Sequence, residues 1–226
     1  MIQKELPKKE DKRGVLSFLD LAEFNENPVG ALFLNEEIEL NRISEKFNLN
    51  TTDNILLVNL SSPDKIVRSK GLSYTLISQK EIIHHNMSFK GFVVAFPQKG
   101  YLGDELKGYQ NDFSLEDFTQ GKIVLPVPRV FFITNVPGNE SRGNHAHKTC
   151  DQFLVIIQGT CFVKTETLGA EETQILNSSN RIFLLKAKSW LSLDNFSEDA
   201  VLMVISSEPY LEENYIRSYE EFKLYL

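Results

Sequence analysis

The stretch with the most chemistry per residue is Arg142-Gly143-Asn144-His145-Ala146-His147-Lys148. In an extended strand, residues two apart point to the same face. His145 and His147 therefore project together, and they are two of only four histidines in the chain. Imidazole titrates near ~6.5, so it takes and returns a proton at neutral pH. A pair on one face suits acid–base work or hydrogen bonding; a bare His-X-His is equally common as two exposed loop residues. Metal binding is the other use of such a pair. After His147 come four residues and then Gln152, then six residues and Gly159; no histidine follows His147. Two imidazoles and a neutral amide are a poor donor set for a divalent ion, which wants three or four good ligands. The expectation is a site with no metal and no cofactor.

Charge flanks the pair. The guanidinium of Arg142 suits bidentate binding of phosphate oxygens, and the ammonium of Lys148 acts as a point charge. Arg129, ahead of the apolar run 130–136, is a third candidate. Each of these bases reads equally as a solvated surface charge, Lys148 most readily. Trp190, the single tryptophan, is a core residue or a stacking wall for a sugar or base. His84 and His85 are adjacent, point to opposite faces of any strand, and read as surface or packing residues.

The elements that must position these groups change in texture near residue 120. Before it, residues 36–47 place Leu40, Ile43 and Phe47 on one helical face. Residues 55–60, 74–78 and 91–96 read as strands, and 63–70 as a short helix. The stretch 99–108 reads as a loop and 115–118 as a helical turn. This alternation suggests a small α/β region over residues 1–120. After it the pattern is all β: short apolar runs at 130–136, 153–157, 161–165, 174–176, 181–185 and 201–205 are separated by turn residues such as Pro137-Gly138, Gly159 and Gly169. That spacing predicts a barrel or sandwich over 121–226. In the last segment, 215–226, Ile216, Tyr219 and Phe222 recur at helical spacing and predict a packing helix.

Metal-binding cupins share the spacing from His147 to Gln152 and Gly159, with glutamate at the Gln152 position and a third histidine on a later strand. The markers Pro128-Arg129-Val130-Phe131-Phe132-Ile133, the Arg142–Lys148 run, Gln152, Gly159, Trp190, Asn195-Phe196-Ser197 and the tail Tyr210, Glu213-Asn214-Tyr215-Ile216-Arg217, Tyr219 and Phe222 together resemble the WxcM-like sugar 3,4-ketoisomerases. The resemblance runs from about residue 125 to 226. It implies a mainly β chain with a C-terminal RmlC-like cupin, a jelly-roll barrel, that needs no metal and commonly forms a homodimer. The implied reaction moves a ketone of a dTDP-4-keto-6-deoxyhexose from C4 to C3 through an enediol, in deoxysugar and polysaccharide biosynthesis. His145 and His147 would carry the protons, and Arg142 would contact the ligand. Two positions depart from the family pattern. Phe131 and Phe132 stand where tyrosines are frequent, and Leu191-Ser192 where His-Glu is frequent. Residues 11–18 are also similar to the family's opening strand, in which case residues from about 25 to 120 would be an insertion within the barrel.

The composition bounds the remaining readings. Over 226 residues, 42% hydrophobic and 24% charged content is enough for a core, and a net charge of -7 argues against nucleic acid or an anionic membrane as partner. No apolar run reaches the ~20 residues of a membrane helix, and the polar N-terminus lacks a signal-peptide core. A soluble, cytoplasmic chain with free thiols at Cys150 and Cys161 is expected. Three functions fit: a ketoisomerase, an epimerase on a related nucleotide sugar, and a catalytically silent cupin that binds one.

Overall fold

The computed structural model describes residues 2–20, 30–39, 54–59, 73–78, 88–96, 129–179 and 182–225. The strands along them are β1 (Ile2–Glu5), β2 (Lys8–Asp11), β3 (Gly14–Asp20), β4 (Gly30–Glu39), β5 (Asn54–Asn59), β6 (Ser73–Ser78), β7 (Ser88–Phe96), β8 (Arg129–Thr134), β9 (Arg142–His147), β10 (Gln152–Gln158), β11 (Cys161–Thr167), β12 (Ala170–Leu176), β13 (Ile182–Leu185), β14 (Trp190–Asp194), β15 (Val201–Ser206) and β16 (Tyr215–Ile216). A 3-10 turn at Glu212–Asn214 precedes β16, and one helix, α1 (Tyr219–Tyr225), follows it. The chain divides into two units.

The described part of the first unit is an antiparallel sheet in the order β1-β6-β5-β7-β4. β5, β6 and β7 fall on the apolar runs that predict them. Residues 36–39, expected to open a helix, are instead the end of β4, where Ile38 pairs with Phe89 and Glu39 with Ser88 beyond a register shift. The helical spacing at 40, 43 and 47 says little about residues ahead of it. Pairing with the long strand β7 satisfies their backbone groups first. The remainder of that expected helix, the segments 63–70, 99–108 and 115–118, and His84 and His85 lie outside the described residues.

The second unit is built from two sheets, one in the order β13-β10-β15-β8-β3-β2 and one in the order β12-β11-β14-β9-β16. One buried cluster takes Ile133, Leu154, Ile156, Phe183, Leu202 and Val204 from the first and Cys161, Val163, Leu191 and Leu193 from the second. The sheets are therefore packed face to face around one core, the cupin arrangement. The period of two is plain in β11 and β14, where alternate residues are buried. It vanishes in β15, whose six residues are all buried, as a central strand covered on both faces requires. Each Leu or Ile placed fully in this core adds about 1.5–3 kcal/mol relative to exposure. Cys150 and Cys161 are free and buried.

The unit also draws on chain ahead of 121–226: the β2–β3 hairpin is hydrogen-bonded beyond β8. In sequence, β4 to β7 fall between β3 and β8. Gly14 makes the close approach possible, since a Cβ there would lie 2.7 Å from the carbonyl oxygens of Thr134 and Asn135. At the other end of the chain, Tyr215 and Ile216 form a strand on β9 and not the start of a helix. The helix begins only after Ser218, whose hydroxyl accepts from the Glu221 amide at 3.3 Å and serves as N-cap. Phe222 and Ile216 then bury together against Ala146 on the outer side of β9.

β9 carries an irregularity that sets the site. Leu191 pairs with His145, Ser192 with Gly143 and Leu193 with Arg142, so Asn144 is an extra residue, a β-bulge. Gly143 and Asn144 both have positive φ, 78° and 54°. The Asn144 amide spans the bulge, donating to Ser141 Oγ at 2.9 Å and accepting from Ser192 Oγ at 3.2 Å. Gly143→Ala should be costly twice over: its φ is unfavourable for an L side chain, and its Cβ would sit 2.8 Å from the Leu191 carbonyl oxygen. A loss of about 1–3 kcal/mol is expected, read from urea unfolding followed by the fluorescence of Trp190.

Candidate active site

The inner face of the barrel is apolar along most of its depth and polar at one end. β8 turns Arg129 and Phe131 to the side of Ile133, the core side; Phe132, on the opposite face, is fully buried. Beside Arg129, β15 ends in the buried Ser206. β10 opens with the buried Gln152, paired to Ser206. Across the barrel, β9 presents His145 and His147, and β16 sets Tyr215 directly opposite His147.

The two imidazoles meet edge to face, with ring centroids 4.9 Å apart and Nε2 atoms 3.2 Å apart. His145 Nδ1 lies 2.9 Å from the Gly143 carbonyl oxygen. A carbonyl only accepts, so Nδ1 carries the proton and His145 Nε2 is a bare lone pair. His147 Nε2 faces that lone pair and also the Gln152 side-chain amide, 3.1 Å away, which in turn reaches Ser206 Oγ at 3.3 Å. The space between the two Nε2 atoms therefore holds one proton when His147 is the Nε2–H tautomer. It holds none when His147 is protonated at Nδ1, which is buried without a partner. The first arrangement joins two neutral rings by a hydrogen bond; the second leaves His147 Nε2 to accept from the Gln152 NH2 group that faces it.

Both rings are held neutral. Burial is the main cause; Arg217 and Arg129 add like charge to each. His147, also opposed by His145, is pushed down to about 3. A buried lone pair on an unprotonated imidazole is ready to act as a base at pH 7, and the cationic form is what the site resists.

Tyr215 covers the pair. Its ring centroid lies 4.3 Å from that of His147 and 5.0 Å from that of His145. Arg129 Nη1 donates to its hydroxyl at 3.1 Å. The guanidinium of Arg217 lies 4.4 Å from its ring centroid, and Arg129 also lies over Phe131 and Tyr210, at 4.8 and 5.0 Å. These are cation–π distances.

Of the residues singled out by sequence, the structure thus gathers His145, His147, Gln152 and Arg129. It places the other three elsewhere. Arg142 points into the barrel because the bulge reverses its parity. Its Nε donates to the Arg13 carbonyl at 2.8 Å, and Nη2, buried and without a hydrogen bond, lies 3.9 Å from Asp11. Lys148 donates from Nζ to the Glu213 carbonyl at 2.6 Å, while its amide and that of Thr149 donate to the Asn214 side chain at 2.8 and 3.0 Å. These bonds pin the tail so that Tyr215 faces His147. Trp190 packs on Tyr219 and Phe222. Tyr215, Arg217 and Ser206 escape a reading by motif chemistry; the Tyr-Ile-Arg of the tail was the available signal. Among the described residues no three His, Cys, Asp or Glu side chains come together as a metal site, and no helix is long and apolar enough to cross a membrane.

Comparison with known proteins bears on this geometry. Residues 104–226 match the family model described as FdtA: WxcM-like, C-terminal. A TDP-4-oxo-6-deoxy-alpha-D-glucose-3,4-oxoisomerase from Aneurinibacillus thermoaerophilus is 36% identical over 104 residues, 46% of this chain and 75% of that protein. Among solved structures, QdtA, a sugar 3,4-ketoisomerase from Thermoanaerobacterium thermosaccharolyticum in complex with TDP, is 30% identical over 46% of this chain and 80% of its own, with a TM-score of 0.43. A 3,4-ketoisomerase from Helicobacter canadensis is 33% identical over 45% and 76%, also at 0.43.

The depressed imidazoles make stability depend on pH. An unfolded histidine binds its proton near ~6.5, whereas His147 in the fold does so only at about 3. The unfolded chain thus takes up more protons as pH falls below 6.5, and stability falls with it until about pH 3. Replacing His147 with Gln should flatten the decline between pH 6 and 4 by up to about 1.4 kcal/mol per pH unit. Urea midpoints for both proteins across that range provide the check.

Proposed function

The chain belongs to the FdtA, WxcM-like C-terminal family over residues 104–226, and from that premise we propose that it is a sugar-nucleotide 3,4-ketoisomerase acting on a dTDP-linked 4-keto-6-deoxyhexose. The observation that carries the reading is the pair of neutral imidazoles with facing Nε2 atoms, 3.2 Å apart and part-buried. Ketone migration between neighbouring carbons needs one proton removed and another supplied nearby, with no net redox change. One imidazole takes the C3 proton, which the C4 carbonyl acidifies. The proton held between the rings passes to O4, giving the enediol. The reverse transfers then deliver a proton to C4 and remove the one on O3. Both rings lie on one wall, so a single face of the sugar serves for every step.

The other polar groups divide into two jobs. Arg129 and Arg217 are the cations beside the pair and would meet the diphosphate or the sugar oxygens, with Gln152 and Ser206 holding His147 in place. Arg142, Lys148 and Trp190 keep the frame: the β2–β3 hairpin, the tail and α1. The donor set supports chemistry without a metal, since Gln152 adds a neutral amide to the two imidazoles. The relative named an oxoisomerase supports the nucleotide and the sugar class. A homodimer, cytoplasmic and free of nucleic-acid partners, completes the reading. One observation favours a second reading, a silent binder of the same ligand: Phe131 lies under Arg129, where a tyrosine would offer a hydroxyl.

Solvent exchange separates the two. In D2O the wild-type protein should place deuterium at C3 and C4 of the keto-sugar nucleotide, and His145→Asn or His147→Asn should each lower the rate about a hundredfold or more. Binding without exchange on any dTDP- or UDP-4-keto-6-deoxy sugar would leave the silent binder. Arg129→Ala should weaken binding about tenfold, as loss of a charge-assisted hydrogen bond of roughly 1.5–3 kcal/mol implies. Elemental analysis of untagged protein should find no stoichiometric zinc, iron or nickel; a tightly held ion on the two histidines would overturn the acid–base scheme.

A further inference from the structure

The reaction proposed above leaves one group beside the histidines without a role. Tyr215 stands opposite His147 in the β16–β9 pair, with its ring against both imidazoles. The outer side of that ring is taken by Arg217. Its hydroxyl is engaged by Arg129 at 3.1 Å. A guanidinium has only protons to give, so the phenol oxygen accepts in this bond. The phenol keeps its own proton for another acceptor, at the place where Arg129 faces the imidazoles.

We propose that Tyr215 supplies the hydroxyl of this site, donating a hydrogen bond to the oxygen of the keto-sugar that gains charge as the C3 proton leaves. The inference rests on the ketoisomerase reading and deepens it. The barrel wall cannot provide such a group from β8, because position 131 is a phenylalanine under Arg129 and position 132 a phenylalanine buried on the far face. The tail strand brings one from the opposite sheet instead. Arg129 orients the phenol, and as a cation it stabilises any negative charge that the hydrogen bond draws toward the phenol oxygen. The tail is built to hold the position. Asn214, one residue earlier, is buried and fastened to the amides of Lys148 and Thr149. Ile216, one residue later, is buried against Phe222 and Ala146.

Tyr215→Phe removes the hydroxyl and keeps the ring, its contact with the imidazoles and its cation–π partner. The thermal midpoint should stay close to that of the wild type. Turnover in the exchange assay should fall about ten- to a hundredfold, with KM moving far less. Affinity for dTDP alone should be unchanged, while affinity for the keto-sugar nucleotide drops by the same small factor as KM, about two- to fivefold, so their ratio reports the hydroxyl even in a protein that binds without turnover. If the wild type exchanges and the variant matches it in both turnover and that ratio, Tyr215 is packing only and the ketoisomerase reading stands. If the wild type binds no keto-sugar nucleotide, that reading fails and this inference falls with it. A ratio that collapses alongside a lost thermal midpoint is resolved by Tyr215→Trp, which keeps an aromatic plate without the phenol; wild-type turnover in that variant would overturn the proposal.

Discussion

Two imidazole nitrogens held 3.2 Å apart, one on a buried ring and one on a half-buried ring, are the constraint on which the rest of this site depends. With His145 Nδ1 committed to a carbonyl, the pair is comfortable with one proton between its inner nitrogens and poor with two. A second proton would make one ring a cation facing the N–H of the other, near Arg129 and Arg217. The surroundings thus hold both rings neutral before any ligand arrives. With His147 as the Nε2–H tautomer, the pair is one donor and one acceptor side by side.

Geometry of this kind demands a strand that cannot slide. β9 is hydrogen-bonded on both sides, to β14 and to the short β16. The bulge at Asn144 locks its register, because shifting it by one residue would expose the buried faces of Ala146 and His147 to exchange. Arg142 fastens the start of the strand to the β2–β3 turn through Arg13. Lys148 and Thr149 fasten its end to Asn214. Two of the cations that flank the histidine pair, Arg142 and Lys148, thus make contacts at the two ends of the histidine strand. The cation that reaches the imidazoles, Arg129, comes from the facing sheet.

How much of this was legible follows from what each signal measures. The strands of the barrel are legible because a period of two with turn residues between runs reports burial of one face, and the core obeys it. The same-face placement of His145 and His147 is local geometry and needs no tertiary knowledge. Three features depend on distant chain and escape local signals. Residues 36–39 join β4 because β7 offers a partner. Tyr215-Ile216 becomes a strand because β9 has a free edge, although Ile216, Tyr219 and Phe222 have helical spacing. The β2–β3 hairpin belongs to a sheet whose next strand lies more than a hundred residues on; only the likeness of residues 11–18 to an opening strand hinted at it. Arg142 shows a further limit of local reading within the motif. A bulge changes which face a residue occupies, and nothing in its composition beyond Gly143-Asn144 announces one.

Gln152 shows how one atom type separates two uses of the same barrel. Its position, five residues after His147, puts a side-chain head 3.1 Å from Nε2. A carboxylate there would attract charge onto the imidazole, raising its affinity for a proton, and would complete a three-donor set for a cation. The neutral amide does neither. Its NH2 group is the donor that reaches both His147 Nε2 and Ser206 Oγ, so it orients His147 without bringing a charge to the site. Desolvation then lowers both histidines, against only the Gly143 hydrogen bond on His145. The site remains a pair of neutral bases beside two guanidiniums, of which Arg217 is paired with Glu212 and Arg129 reaches the Tyr215 hydroxyl.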